Sequence, residues 1–441
     1  MRFRHAALAL LGLVAPALAD DRPGPGTPTV PATRDDLKRA LEGSKKAAPR
    51  LPLPEPTAEQ RAKAAAPGSR DWGVVNNGLM RNYYLGSELT AGAFPREPEP
   101  GMTLGHRFQT SLFWIVSRAD NCTYCMGHQE SKLAADGLAE DRIASLDGDW
   151  SSFDPDQRAA FAFTRKLTFE PHAITDADLD ALRKHYSNQQ ITEIVYVVAA
   201  FNAMNRWTGA LRIPQEEHRV YLTPTSDQFA TMVSAVAPLP SGAKAPACAR
   251  PATRPPLESP AELEAALSAA RSRTPRLPLV GEAEARALYK NAYEGTVPEY
   301  ARLLAAFPRV GVSRAAGHRV DDERGDLDFQ RLKAQMSYIA ARHDRAWYAV
   351  GHAMNRMAAL KLADAYNPTA LNGDWANDEP ARRAAFHLAK KLTVDPARID
   401  DADIADLRKH YNDKQVAELV HHVTECAFFD RLTEAAGLRL E

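Results

Sequence analysis

The chain has 441 residues, of which 45% are hydrophobic, and its 55 Lys and Arg against 56 Asp and Glu leave a formal charge of −1. Neither sign dominates along the chain, which argues against a nucleic-acid or membrane-surface partner. The length exceeds one typical core, so two domains are expected.

The chain opens MRFRHAALALLGLVAPALADD, in which Arg2 and Arg4 precede an apolar run of about fourteen residues ending in Ala17-Leu18-Ala19. This pattern predicts a cleavable signal peptide over residues 1–19. The run is shorter than the roughly 18 to 20 apolar residues that a membrane span needs. The mature protein is therefore expected to be exported, most simply to a bacterial periplasm, and to have no membrane partner. Losing Arg2 and Arg4 moves the charge from −1 to −1 − 2 = −3. In an oxidising compartment a disulfide is allowed and an idle free thiol is not expected.

A Pro/Gly-rich segment over 20–30 leads into a first domain, expected at 31–235. Its apolar residues follow a helical period without strand alternation. The segment ADNCTYCMGHQESKLAADG (119–137) reads as a helix start, with Asp120 or Asn121 as N-cap and two of the four cysteines, Cys122 and Cys125, in the first turn. Asp154-Pro155 supplies a cap and a first-turn proline to the next helix. Thr175 and Asp178 form a capping box for a helix ending near His185-Tyr186. Ser187 then caps NQQITEIVYVVAAFNAMNRWTGAL, which is apolar on nearly every side, as in a buried core helix.

Residues 236–253, rich in Pro and Ala, read as a linker. The second expected domain, 254–441, repeats the first. FAFTRKLTFEPHAITDADLDALRKHY (161–186) aligns without a gap to FHLAKKLTVDPARIDDADIADLRKHY (386–411), identical at 14 of 26 positions, and LDGDW (146–150) to LNGDW (371–375) at the same offset of 225. A tandem duplication of an all-α unit is the expected architecture, giving two helical bundles side by side.

The chemistry centres on NCTYCMGH. Haem attachment of the c type needs His directly after the second Cys, and here Met126 and Gly127 intervene. A zinc site usually takes four ligands, and Cys122, Cys125 and His128 offer three with no second pair nearby. Residues three apart share one side of a helix, so Cys122 and Cys125 can act together as a redox pair. The helix N-terminus favours their thiolates, and His128 is one turn on. A static structural disulfide is the alternative, and over so short a loop it stabilises little.

The segment SRADNCTYCMGHQESKLAADGL, followed by FAFTRKLT and ITDADLDALRKHYSNQQITEIVYVVAAFNAMNRWTGAL, resembles the carboxymuconolactone decarboxylase and alkylhydroperoxidase D-like superfamily. The likeness covers roughly 100–215 and, in decayed form, 325–441. It implies two all-helical bundles forming a pseudo-dimer, with a homo-oligomer of pseudo-dimers as a further assembly. It also implies that Cys125 attacks a hydroperoxide, that Cys122 resolves the sulfenic acid, and that His128 belongs to a proton relay. A dithiol reductant or redox protein would restore the pair. No cofactor and no metal is expected. Two features depart from the family pattern. His128 follows the second cysteine after two residues instead of three, and the relay glutamate upstream of the first cysteine is replaced by Gln109 and Thr110. Glu130 is a substitute in principle, although a solvated helix position is the expectation for it.

In the second copy Ala346 and Ala349 stand where Cys122 and Cys125 stand, while Gly351 and His352 repeat Gly127 and His128. That domain is expected to be a structural partner, and helix packing is an equal account of both histidines. Trp150 and Trp375, and the recurring His-Tyr pairs 185–186 and 410–411, are expected to pack. HHVTEC (421–426) spreads His421, His422, Glu425 and Cys426 over two helix faces, which disfavours a metal. Cys248 and Cys426 are candidates for a bridge. Beside the peroxidase reading stand a thiol–disulfide exchange protein, a non-enzymatic scaffold with a static disulfide and, least expected, a lactone decarboxylase.

Overall fold

The computed structural model describes residues 31, 34–64, 75–90, 98–217, 256–362, 371–373 and 375–441. The expected signal peptide, the linker and Cys248 lie outside the described residues. Among the described residues there are nineteen α-helices and no strand, as the helical period predicts.

The first half runs α1 (Arg34–Ser44), α2 (Ala58–Ala64), α3 (Asn76–Tyr84), α4 (Ser87–Thr90), α5 (His106–Ala119), α6 (Thr123–Ala135), α7 (Glu140–Ala144), α8 (Pro155–Phe169), α9 (Asp176–Arg183) and α10 (Asn188–Ala210). The second half runs α11 (Pro260–Arg271), α12 (Glu282–Leu288), α13 (Glu299–Leu304), α14 (Val310–Glu323), α15 (Leu327–Asp344), α16 (Trp347–Ala359), α17 (Pro380–Val394), α18 (Asp401–Arg408) and α19 (Asp413–Ala436). Helix starts fall where local chemistry puts them. Capping boxes close on Asp154 with Gln157, Thr175 with Asp178, and Ser187 with Gln190, so each first turn recovers donors that would otherwise be orphaned. Asn412 with Gln415 repeats the device at α19, which ends on Gly437 in the left-handed region at φ 59°, a conformation that costs glycine nothing.

α10 and α19 are buried along almost their whole length and pack on each other more extensively than any other pair. Around them the buried apolar residues of both halves form one continuous core. Trp150 and Trp375 are buried against Phe161 and Phe386, the packing role their recurrence suggests.

Contacts between the halves are reciprocal. Arg50 reaches from the first half to Asp401 at 2.9 Å, and its counterpart Arg276 reaches from the second half to Asp176, the counterpart of Asp401, at 2.7 Å. Within its own half, the backbone N–H of Arg50 donates to Leu211 O and that of Arg276 to Ala436 O. The two arginine–aspartate contacts thus occupy repeat-equivalent places in the two halves. Inside each half a fully buried pair, Arg206 with Asp120 and Arg431 with Asp344, both at 2.9 Å, fixes the long helix to the corner before α6 or α16.

Candidate functional site

The site grows from the corner between α5 and α6. Asp120 ends α5 and is held by Arg206. Asn121 then takes a left-handed φ of 52°, which asparagine tolerates better than most residues. This turn makes Cys122 itself the N-cap, one or two residues later than the sequence suggests. Its Sγ accepts the Cys125 backbone N–H at 3.2 Å. Cys125 is therefore the third residue of the helix, and both thiols face α10. Thr208 Oγ1 lies 3.1 Å from Cys122 Sγ and 3.0 Å from Cys125 Sγ. Both cysteines are free thiols, 3% and 2% exposed.

Burial changes their electrostatics. The low-dielectric surroundings push the Cys125 thiol well above its ordinary value, Cys122 adds to this, and Thr208 pulls the other way. A helix N-terminus alone favours the thiolate, which is the sequence expectation. Here desolvation of the charged form wins, because the sulfur is buried.

His128, one turn beyond Cys125, places Nε2 at 2.8 Å from Glu216 Oε2. Tyr124 donates its hydroxyl to Glu216 Oε1 at 2.9 Å and accepts the Asn77 backbone N–H, while the Asn76 N–H donates to the same Oε1 at 2.6 Å. Burial raises the Glu216 carboxyl, but these donors, His128 foremost, outweigh it and hold the group at about 2. The carboxylate is therefore ionised and can only accept, so His128 carries its proton on Nε2. A cleft of about 420 Å³, lined by Lys45, Asn76, Gln215 and Glu216 among others, opens against this carboxylate.

Glu216 was invisible to motif reading because it lies 88 residues beyond His128, past the end of α10. The repeat carries the one available signal. Tyr348 and Glu441 stand at the places of Tyr124 and Glu216, and the Tyr348 hydroxyl donates to Glu441 at 2.8 Å. The tyrosine–glutamate link belongs to the architecture of both halves. His352, by contrast, packs against Tyr300, Phe429 and His318. The histidine–glutamate pair marks the half that carries the thiols.

The other upstream candidates are engaged elsewhere. Gln109 donates to Glu193 at 2.8 Å and Thr110 to the His106 carbonyl. Glu130 is not the solvated position expected of it: it is 1% exposed. Arg34 at 2.6 Å, Lys38 at 2.5 Å and the Trp114 indole at 3.1 Å all donate to it. Burial pushes its carboxyl up, and the charges of Arg34 and Lys38 bring it down to about 2. Glu140 joins the same buried cluster through both cations.

Around HHVTEC the side chains diverge, as the two-face reading predicts. His422 Nδ1 pairs with Asp321 at 2.5 Å and Glu425 with Arg314 at 2.8 Å. Cys426 is a buried free thiol 3.7 Å from Ser337 Oγ; its candidate partner, Cys248, lies outside the described residues.

No family model matches the chain. Among curated proteins it is similar to the uncharacterized protein YdfG of Bacillus subtilis (strain 168), 27% identical over 100 residues, which span 22% of this chain and 67% of the relative. That name assigns no activity. No helix among the described residues is long and apolar enough to cross a membrane.

Proposed function

We propose that the protein is an exported, thiol-dependent peroxidase of the alkylhydroperoxidase D-like kind, built as a tandem pseudo-dimer in which only the first half is redox-active. The observation that carries this reading is the coincidence, in one half only, of two thiols on a shared Thr208 hydroxyl with a histidine one turn away on an ionised glutamate. Reciprocal contacts between the halves support the pseudo-dimer, and the exported compartment is part of the same proposal.

The chemistry proceeds in three balanced steps. Cys125 gives up its proton, and its thiolate attacks the terminal oxygen of a hydroperoxide. The O–O bond breaks, an alcohol leaves with a proton, and Cys125 becomes a sulfenic acid. Cys122 then attacks the Cys125 sulfur, releasing water and forming the disulfide. An external dithiol reduces that disulfide by exchange. His128 and Glu216 serve as the route by which the thiol proton leaves and the leaving alkoxide is protonated, in place of the upstream glutamate that the family pattern has and this chain lacks. Burial of both sulfurs favours a small hydroperoxide over a folded protein as oxidant.

The test is chemical. The reduced mature protein, treated with one equivalent of an alkyl hydroperoxide, should yield the Cys122–Cys125 disulfide and the matching alcohol. Cys122→Ser should stop at a sulfenic acid that dimedone traps. Recovery of intact hydroperoxide and both thiols would overturn the reading.

A further inference from the structure

The second half, stripped of its thiols, holds a different constellation. His318 and Asp322 are four residues apart on α14 and therefore share a face. His352, the counterpart of His128, comes to the same place from α16. One coordinating atom from each of the three lies within 4.8 Å of the other two. The two imidazole rings are 5.9 Å apart, and His318 is stacked on Phe429 at 4.5 Å.

We propose that His318, Asp322 and His352 form a binding site for a divalent transition-metal ion. Three observations support it. His318 Nε2 is buried without a hydrogen-bond partner, its nearest opposite charge being Asp322 Oδ2 at 3.9 Å. Buried polar atoms are nearly always satisfied, so an orphaned imidazole nitrogen beside a carboxylate and grouped with a second imidazole is what a metal ligand looks like. Arg356, at the edge of the same pocket, sits 2.7 Å from Asp322 Oδ1 and so holds that oxygen, leaving Oδ2 on the side of His318, as hydrogen-bonding partners orient metal ligands. The pocket has room because Ala349 lines it in the place of Cys125, beside Ala353. In the first half the same space belongs to a thiol, and His128 is committed to Glu216.

Two imidazoles and one carboxylate suit zinc, cobalt, iron or nickel better than magnesium or calcium. With bonds of about 2.0–2.1 Å, a tetrahedral site has edges of roughly 3.4 Å. The coordinating atoms, all within 4.8 Å of one another, would therefore close in by at most about 1.4 Å, a rotamer adjustment. Three protein ligands leave a fourth position for water or a small anion, and Cys426 lines the same pocket.

The probe is Co²⁺, followed by its visible d–d absorption on the chelator-treated full chain. One ion per chain is expected, displaced by Zn²⁺ and unchanged in Cys122→Ser/Cys125→Ser, because the thiols are not the ligands. His318→Asn and His352→Asn should each weaken binding at least tenfold, and Zn²⁺ should raise the melting temperature of the parent but not of these variants. Asp322→Asn gives the same reading should either histidine variant lose its helical circular dichroism. Failure of the parent to take up one Co²⁺, uptake undiminished in the folded variants, or uptake lost with the cysteine pair would overturn the proposal.

Discussion

The His128 imidazole lies 2.8 Å from the Glu216 carboxylate, whereas the equivalent Glu441 accepts the Tyr348 hydroxyl and His352 packs on Tyr300, Phe429 and His318. The same helix, glycine and histidine thus serve two different environments. In the first half Glu216→Gln keeps the volume and removes the anion. Hydroperoxide-driven thiol loss is expected to slow by about 10²-fold, the lower end of what positioned acid–base groups supply. Glu441→Gln should leave that rate unchanged. Stopped-flow rates for the two variants decide this, since a merely structural carboxylate predicts similar behaviour in both.

Thr208 is the hydroxyl both sulfurs share, and its contact favours the Cys125 thiolate against burial. Thr208→Val is nearly isosteric and also gives up the bond from Oγ1 to the Met204 carbonyl within its own helix. Loss of a neutral hydrogen bond of about 1 kcal/mol predicts a roughly fivefold slower oxidation. Iodoacetamide, which no proton route assists, should modify native Cys125 more slowly than free cysteine and accelerate as pH rises through 9 and above. Alkylation rates across pH check both statements.

Two carboxylates set the acid limit. Glu130 and Glu216 are both held at about 2, below the ordinary 4.5. A depressed folded value means that the stabilisation is complete above the unfolded value and lost as pH falls from about 4.5 towards 2. Urea melts between pH 7 and pH 3 should show that loss. Glu130→Gln leaves Arg34 and Lys38 to share Glu140 alone in a buried site, so one buried cation loses its counter-charge and a cost of about 3 kcal/mol is expected at pH 7, with a shallower acid slope.

The reciprocal arginines separate charge from geometry. Asp176 and Asp401 are 80% and 64% exposed, so Asp176→Asn should cost at most about 0.5 kcal/mol. Arg276 also donates to the Glu434 carbonyl, as Arg50 does to Gly209 and Ala210. Arg276→Ala should therefore cost more, about 1–2 kcal/mol, because it strands a partly buried acceptor at the end of α19. Thermal melts of the two variants distinguish the effects.

Features fixed by near neighbours were legible in the sequence. The caps at Asp154, Thr175 and Ser187 and the dithiol at a helix start depend on residues within one turn, and helix geometry brings them together wherever the helix lies. The cap at Cys122 was misplaced because the left-handed turn at Asn121 is set by the packing of Asp120 on Arg206, a contact spanning 86 residues. Glu130 was misread for the same reason, since its partners Arg34 and Lys38 lie 96 and 92 residues upstream. Nothing local marks a glutamate as buried when the cations that allow it are distant. Carried through to Glu216 and Glu441, the duplication exposes the tyrosine–glutamate link, and the divergence of His128 from His352 then stands out.

Whether Cys122 and Cys125 are a working redox centre is decided by the fate of their thiols. The most direct measurement is stopped-flow mixing of the dithiol-reduced mature protein with hydrogen peroxide and with an alkyl hydroperoxide while free thiols are counted. A working redox centre loses both thiols faster than free cysteine loses its own, and Cys125→Ser abolishes this loss. Thiol loss no faster than free cysteine, or equally fast in Cys125→Ser, would contradict it.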